Sequence, residues 1–282
     1  MKLGLHICAF NYDGPIGPTL ARIGRSAEQA GVADLTVMDH LFQIASVGPH
    51  EDPMLEAYTA LGFLAGVTER VRLGTMVSAA VYRPPGLLIK AVTSLDVLSG
   101  GRAFFGIGAA WNEQESIALG LPFPPTAERF RKLEELLQIA KQMWSEDNGP
   151  YEGSEYHLGA TLNSPQSVQR PHPPILVGGT GERKTLRLVA EYANACNIFF
   201  SPEAAHKLDV LGQHCATVGR DYAEIEKTTM LAADPAAPAQ LLDQLRAAHE
   251  LGFTTTYLVV PKLDDFTIYD PLAEVCAEAA SW

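Results

Sequence analysis

The chain has 282 residues, 47% of them hydrophobic, which is enough to bury a large core. Its formal net charge is -12 and no basic cluster appears, which excludes the concentrated Lys/Arg surface needed to bind nucleic acid. No apolar run is long enough to predict a membrane span. The four cysteines form no CxxC pair, so neither zinc nor a redox dithiol is indicated, and free thiols suit a reducing cytoplasm.

Strand and helix patterns alternate along the whole chain. Eight short apolar runs that stop at small or polar residues predict strands over 3–9, 34–38, 71–77, 103–107, 174–177, 196–200, 225–232 and 254–260. Apolar residues at helical spacing, together with Pro and Gly punctuation, predict helices over 18–30, about 53–65, about 84–98, 127–144, 182–193, after 202, 238–251 and 271–280.

The segment 148–173 is rich in Gly, Pro, Ser and Asn, and its pieces 156–158 and 166–168 predict a hairpin-like insertion. No linker or repeat divides the chain, so we expect one domain over 1–282. Eight strand–helix units predict a parallel sheet closed into an α/β (β/α)8 TIM barrel. The rival is a doubly wound open sheet, but its GxGxxG fingerprint is missing from the first turn.

In such a barrel the active site lies at the carboxyl ends of the strands. Asp39 and His40 end the second strand, where a carboxylate and an imidazole could bind a hydroxyl and exchange a proton near neutral pH. A structural Asp beside a partly exposed His fits the spacing equally well. No metal-binding pattern joins the histidines predicted to be surface groups, which are His50, His157, His172, His206, His214 and His249.

Two glycine-rich turns follow predicted strands. The loop 106–112 follows the fourth strand, and its small residues allow a flat or phosphorylated molecule to approach the backbone. The turn 178–181 opens a helix, where free amides could form an anion cradle and Thr180 could add a hydroxyl; a plain tight turn is the alternative.

Other residues near these turns allow more than one interpretation. The aromatic side chains that could line a flat pocket or pack in the core are Phe10, Phe42 and Trp111. Glu113 and Glu115 have the positions of ordinary helix-start carboxylates, so neither is interpreted as a catalytic acid.

Four segments together resemble the bacterial luciferase-like superfamily: Met38-Asp39-His40, Arg72-Leu73-Gly74-Thr75-Met76-Val77, Gly106-Ile107-Gly108-Ala109-Ala110-Trp111-Asn112-Glu113 and Pro173-Pro174-Ile175-Leu176-Val177-Gly178-Gly179. The likeness extends over nearly the whole chain and is greatest to the oxidoreductases that use coenzyme F420. It implies hydride transfer between a deazaflavin and a small organic substrate. An FMN-dependent monooxygenase and a non-catalytic flavin- or deazaflavin-binding barrel are the alternatives.

The resemblance also implies roles for individual residues. His40 would transfer protons, and Asp39 would bind hydroxyls beside the ring. Met76 and Val77 would form a cis peptide that supports the ring from behind. The remaining predicted cofactor contacts are Ala109, Ala110 and Asn112 at the ring or its ribityl chain, and Gly178, Gly179, Thr180 and Gly181 at the phosphate.

The resemblance further implies a homodimer that pairs through helices near the second and third strands. The basic candidates for the glutamate tail of F420 are Arg183, Lys184 and Lys262. The sugar-phosphate dehydrogenases of the superfamily carry an acidic residue in the loop after strand four. This chain has Ala109-Ala110-Trp111 there, so sugar-phosphate oxidation is not supported.

Overall fold

Eleven strands and nine α-helices alternate through the computed structural model, which describes all 282 residues. The strands are β1 Lys2–Ile7, β2 Asp34–Val37, β3 Arg72–Thr75, β4 Ser78–Ala79, β5 Phe105–Gly108, β6 Tyr151–Glu152, β7 His157–Leu158, β8 Ile175–Gly178, β9 Ala195–Asn197, β10 Glu226–Ala232 and β11 Thr255–Val259. The helices are α1 Ile16–Gln29, α2 Ala57–Val67, α3 Pro85–Leu98, α4 Glu113–Ala118, α5 Thr126–Met143, α6 Thr185–Tyr192, α7 Ala204–Val218, α8 Pro238–Glu250 and α9 Tyr269–Ala279. No helix combines the length and the apolar character needed to cross a bilayer.

Nine strands form one parallel sheet in the order β3-β2-β1-β11-β10-β9-β8-β5-β4. Its two end strands, β3 and β4, are consecutive in the chain and separated only by Met76 and Val77. A further bridge joins Leu73 of β3 to Ala103, just before β5. The sheet therefore closes on itself with the helices outside, which confirms the predicted barrel over the open-sheet alternative.

Several predicted elements differ from the structure. The sixth strand, predicted over 196–200, ends at Asn197 as β9. The third strand, predicted over 71–77, pairs with β2 only as far as Thr75, and the chain resumes pairing, with β5, at Ser78. The helix predicted from about 53 begins at Ala57, because the Glu56 side chain accepts a hydrogen bond from the Thr59 N–H at 2.7 Å and so caps it. The helix predicted from 182 begins at Thr185.

The insertion also differs in part from the prediction. Its only hairpin pairs β6 with β7, so the predicted strand piece 166–168 is wrong. The N–H groups of Val168 and Gln169 donate to the Asp96 carboxylate on α3, at 2.6 and 3.1 Å. A helix side chain thus supplies the acceptors that a strand partner would otherwise provide.

Side chains fill the amino-terminal half of the barrel. Arg72 donates to both oxygens of the buried Asp34 carboxylate, at 2.6 and 2.8 Å, and the Tyr257 hydroxyl donates to the same group at 3.1 Å. Gly4 leaves room for the Tyr257 ring, with which any Cβ at that position would collide. This packing closes one end of the barrel and leaves the carboxyl ends of the strands to form an open site.

Candidate active site

A cavity of about 680 Å³ lies at the carboxyl ends of the strands. Its walls are mostly apolar, as is usual for cofactor sites. Eight of the eleven predicted site residues line it, namely Asp39, His40, Met76, Val77, Ala109, Ala110, Gly178 and Gly179. The other three, Asn112, Thr180 and Gly181, lie in the same loops beside lining residues. That these residues bind a cofactor stays a prediction.

His40 pairs with Glu115 through its Nδ1 atom. The Nε2 atom makes no hydrogen bond within the protein, and the ring lies on the cavity wall. Trp111 packs edge-on against the imidazole, with 5.2 Å between the ring centroids. The carboxylate therefore orients the ring and leaves Nε2 to meet a ligand, which is the arrangement that general acid–base catalysis requires.

Glu115 is only 1% exposed, and all its neighbours donate to it. The Tyr82 hydroxyl lies 2.5 Å from Oε1, while the N–H groups of Leu41 and Phe42 reach Oε2 at 2.8 and 3.2 Å. Burial raises the pKa of the Glu115 carboxyl, but the hydrogen bonds from His40, Tyr82 and the Leu41 N–H outweigh burial and hold that pKa below its usual value. The group is thus an anion facing His40 at neutral pH.

Asp39 lines the cavity and forms an ion pair with Arg83. Its two carboxylate oxygens accept hydrogen bonds from Arg83 at 2.6 and 2.8 Å, and Arg83 also donates to Glu56 at 2.6 Å. The Arg83 guanidinium lies over the Tyr58 ring. The predicted hydroxyl-binding role of Asp39 would therefore use the lone pairs that Arg83 leaves free.

A wall of small residues faces the cavity from β4, β5 and β8. The Met76–Val77 peptide bond is cis, as the resemblance implies, and Val77 packs between Gly108 and Gly178. A Cβ at either glycine would come within 2.9 Å of the Val77 side chain. Ala110 on the same rim has φ +67°, the one non-glycine residue of the chain in the left-handed region. The surrounding fold must compensate the backbone strain at this residue.

The cavity end near β8 suits an anion. Gly179 has φ +126°, which a side chain would disfavour. The backbone N–H groups of the five residues 180–184 donate no hydrogen bond within the protein, just before α6 begins. Arg129 lines the cavity and donates to the Pro124 carbonyl at 2.8 Å and to the Thr126 hydroxyl at 3.1 Å. The Lys184 ammonium lies 5.2 Å from the centroid of the neighbouring Phe130 ring. Free amides and cations at a helix start are typical of phosphate sites.

A second cavity of about 420 Å³ adjoins the first and shares Cys8, Ser46, Val47 and Val259 with it. Its charged lining comprises Asp13, Asp52, Asp264 and Lys262. Lys262 pairs with Asp13 at 2.8 Å. Lys262, one of the three basic candidates for the F420 tail, thus lies in the second cavity and away from the β8 end of the main cavity, where the other two candidates follow β8.

Sequence reasoning missed several residues of the site. Glu115 was interpreted as an ordinary helix-start carboxylate. In the structure Asn112 caps α4 by accepting a hydrogen bond from the Glu115 N–H. Asn112 and Glu115 have the three-residue spacing of a capping box, which was the signal available in the sequence. Tyr82, Arg83 and Arg129 gave no signal in the sequence. Among the aromatic candidates, Trp111 lines the cavity, whereas Phe10 is core.

Replacing Glu115 by Gln should lower the free energy of unfolding at pH 7 by about 1–3 kcal/mol, because four donors lose a charged acceptor. Since folding depresses the Glu115 pKa, this stability is present above the unfolded value of 4.5 and is lost as the pH falls through the folded pKa. Urea unfolding of both proteins at pH 7 and below pH 4 measures the difference, which should shrink in acid.

The matched control is Glu113→Gln, which changes an exposed carboxylate in the same first turn of α4. We expect it to leave stability unchanged at both pH values. Equal effects of the two substitutions would contradict the role given to the Glu115 contacts.

Curated relatives cover part of the chain. An uncharacterized protein of Mycobacterium tuberculosis is 34% identical over 140 residues, which make up 50% of this chain and 48% of the relative. The F420-dependent glucose-6-phosphate dehydrogenase of Kineococcus radiotolerans is 34% identical over 171 residues, 58% and 48% of the two chains. The FMNH2-dependent dimethylsulfone monooxygenase of Pseudomonas putida is 30% identical over 137 residues, 48% and 37%. The chain spans about half the length of the first two relatives and less of the third.

Solved structures match nearly the whole chain. A monooxygenase from Streptomyces bottropensis superposes with a TM-score of 0.79 at 20% identity and covers 99% of this chain and 98% of its own. An F420-dependent secondary alcohol dehydrogenase in complex with an F420–acetone adduct has a TM-score of 0.83 at 15% identity, with 97% of both chains covered. At such identities the likeness establishes the fold. The family model described as luciferase-like monooxygenase matches residues 11–233. The chain therefore belongs to the luciferase-like monooxygenase family.

Proposed function

We propose that this protein is an oxidoreductase that binds coenzyme F420 in the main cavity and transfers a hydride between the deazaflavin and a small organic substrate. The observation that carries the proposal is His40, which presents a free Nε2 to the cavity while the buried Glu115 holds its Nδ1. Hydride transfer to or from an alcohol or carbonyl needs a proton partner, and a carboxylate-oriented imidazole is one. Among the curated relatives are both F420-dependent and FMNH2-dependent enzymes.

The residues present fit a phosphorylated deazaflavin. The small-residue wall, with Gly108 and Gly178 packed on the Val77 side chain and Met76 beside it, would carry the flat ring. The free amides of residues 180–184 and the Arg129 guanidinium would hold the phosphate. When bound, the deazaflavin supplies a carbon centre that accepts or releases a hydride.

The proton balance involves His40. As an alcohol is oxidised, its C–H hydrogen leaves as a hydride with both electrons, and the hydroxyl proton passes to His40 Nε2. The carbon–oxygen bond becomes double. Glu115 stabilises the positive charge that the imidazole gains, and reduction of a carbonyl reverses each step.

The second cavity restricts the substrate. Its charged lining contains three carboxylates, Asp13, Asp52 and Asp264, and one ammonium, Lys262, which leaves two negative charges uncompensated. A phosphate monoester placed there would be repelled, whereas a neutral or cationic group would be accepted. We therefore expect uncharged or cationic substrates and not sugar phosphates.

Titration of the cofactor-free protein with F420 and with FMN tests the cofactor. We expect F420 to bind at least about tenfold more tightly, because its longer anionic tail reaches the cations and free amides at the β8 end. Quenching of cofactor fluorescence gives both dissociation constants. Tighter binding of FMN would favour the flavin monooxygenase alternative, and binding of neither would refute the cofactor site.

Two arginines on α5 provide the matched comparison for this titration. Arg129→Gln changes a residue that lines the cavity and should weaken F420 binding. Arg131→Gln changes a half-exposed residue paired with Glu155 and should not.

Replacing His40 by Ala tests the reaction. The deazaflavin-loaded protein is first screened against enones, quinones, alcohols and nitro compounds by following cofactor absorbance. With an active compound, His40→Ala should lower kcat by about 10²–10⁴-fold, the usual contribution of a general acid or base. The exposed His157, which pairs with Glu152 in the insertion, gives the control variant His157→Ala.

Two outcomes would contradict this function. Unchanged turnover in His40→Ala would refute the proton-transfer role. No redox change of the bound cofactor with any compound class would favour a barrel that binds a deazaflavin without turnover.

We also propose that the protein is a homodimer that pairs through α2 and α3, which pack side by side. Both helices are rich in apolar residues: α2 contains no charged residue, and α3 contains only Lys90 and Asp96. Their outer faces expose Phe63, Leu87 and Leu98 by 43%, 60% and 74%. Gly62 and Gly66 leave open space beside Phe63, where another helix could approach closely.

Light scattering during size-exclusion chromatography tests the dimer. The wild-type protein should have twice the monomer mass of 30.4 kDa. The double variant Phe63→Glu, Leu98→Glu should be monomeric, because symmetric pairing would bury four unpaired carboxylates. Val218→Glu, which changes an exposed apolar residue at the end of α7, should remain dimeric. A monomeric wild-type protein at micromolar concentration would contradict the proposal.

A further inference from the structure

A second imidazole lies deeper in the main cavity than His40. His6 is on β1, where alternate residues face the inside of the barrel, and its side chain is 2% exposed and lines the cavity. In the parallel register it lies opposite Thr36 of β2, and its Nδ1 atom is 2.8 Å from the Thr36 hydroxyl.

The Nε2 atom of His6 has no hydrogen-bond partner in the protein. It is not sealed off, because the unpartnered side-chain atoms that are fully occluded all belong to other residues, namely Tyr12, Arg129, Gln166, Thr229 and His249. A nitrogen that is unpartnered, accessible and on the cavity lining faces the cavity. A ligand that reaches this nitrogen can therefore form a hydrogen bond with it.

The hydroxyl of Thr36 determines what this nitrogen offers. Thr36 has one hydroxyl proton and two neighbouring acceptors, His6 Nδ1 at 2.8 Å and the Leu5 carbonyl at 3.5 Å. When that proton lies on the bond to Nδ1, the ring proton of His6 is on Nε2, and when it lies on the bond to the Leu5 carbonyl, the ring proton is on Nδ1. Burial, and secondarily the charge of His40, lower the pKa of His6 to about 4. His6 is therefore neutral throughout the neutral pH range and carries one ring proton.

The strand order places this imidazole opposite the small-residue wall. In the closed sheet β1 and β8 are four strands apart, so His6 faces Gly178 across the barrel. His40 follows β2, next to β1, and is close enough for its charge to affect His6. A ring lying on the small-residue wall would turn its free face toward both histidines.

We propose that His6 is a substrate-binding residue whose Nε2–H donates to the oxygen of a carbonyl or alcohol, the same oxygen that exchanges its proton with His40 Nε2. The inference rests on the proposed function and names its substrate class: compounds that react at a carbon bearing a single neutral oxygen. His40 carries the proton and His6 holds the oxygen without competing for that proton.

Two amide variants separate a ligand-binding role from a structural one. His6→Gln retains an N–H donor at the distance of Nε2, whereas His6→Asn retains a polar atom only at the distance of Nδ1, toward Thr36. The probe is cyclohexanone, added to the full-length protein loaded with F420, or with FMN if FMN binds more tightly. Its binding is followed through the change in cofactor absorbance, which requires no turnover.

We expect His6→Asn to weaken cyclohexanone binding by about tenfold and His6→Gln by no more than about threefold. Cofactor affinity should be unchanged in both variants. In wild-type protein labelled with nitrogen-15 histidine, the Nε2 resonance of His6 should shift on addition of cyclohexanone, while that of the exposed His157 should not.

Equal binding by the two variants, an unmoved His6 resonance, or no response to cyclohexanone at its solubility limit would overturn the proposal. Failure of the proposed function gives a different result. In that case cyclohexanone binds and shifts His6, but no compound class oxidises or reduces the cofactor.

Discussion

The buried carboxylate of Glu115 is the contact on which the candidate site depends. It joins two parts of the chain that are 75 residues apart, the loop after β2 and the first turn of α4, because His40, Leu41 and Phe42 all donate to it. A buried anion needs its full set of donors, so the loop cannot move away without leaving the charge unpaired. The orientation of His40 is thus enforced by the electrostatics of one neighbour.

The two ends of the barrel differ in how their polar groups are paired. Its amino-terminal half is closed by the Asp34, Arg72 and Tyr257 cluster, where each polar group is satisfied by another side chain. Its carboxyl-terminal half retains groups that nothing in the protein satisfies: the Nε2 atoms of His6 and His40 and the amides of residues 180–184. Polar groups that have no partner in the protein and reach a cavity are able to bind a ligand there.

Periodicity alone predicted most of the fold. The predicted strands 225–232 and 254–260 lie within one residue of β10 and β11, whose threonine-containing sequences favour the strand conformation. The errors occurred where a single side chain decides the backbone, as Asp96 does by accepting from residues 168 and 169. The same holds for the candidate site. The predicted strand ends identified His40 and Gly178. Glu115 could not be predicted, because it reaches the site only when α4 lies beside the loop after β2, and Tyr82 reaches it only when the start of α3 does.

The alternation of inward and outward side chains along β1 could also have predicted that His6 lies in the site. Gly4 and His6 of β1 and Cys8 just after it alternate along the chain, so the three residues share the inner face and His6 points into the barrel. The protonation state of His6 could not be predicted from the sequence, because its pKa depends on burial and on the charge of His40, which follows the neighbouring strand β2. Two histidines within one cavity therefore differ in kind. One is paired with an anion and suited to carry a proton, and the other is held neutral and suited to bind an oxygen, a distinction that arises only from the folded environment.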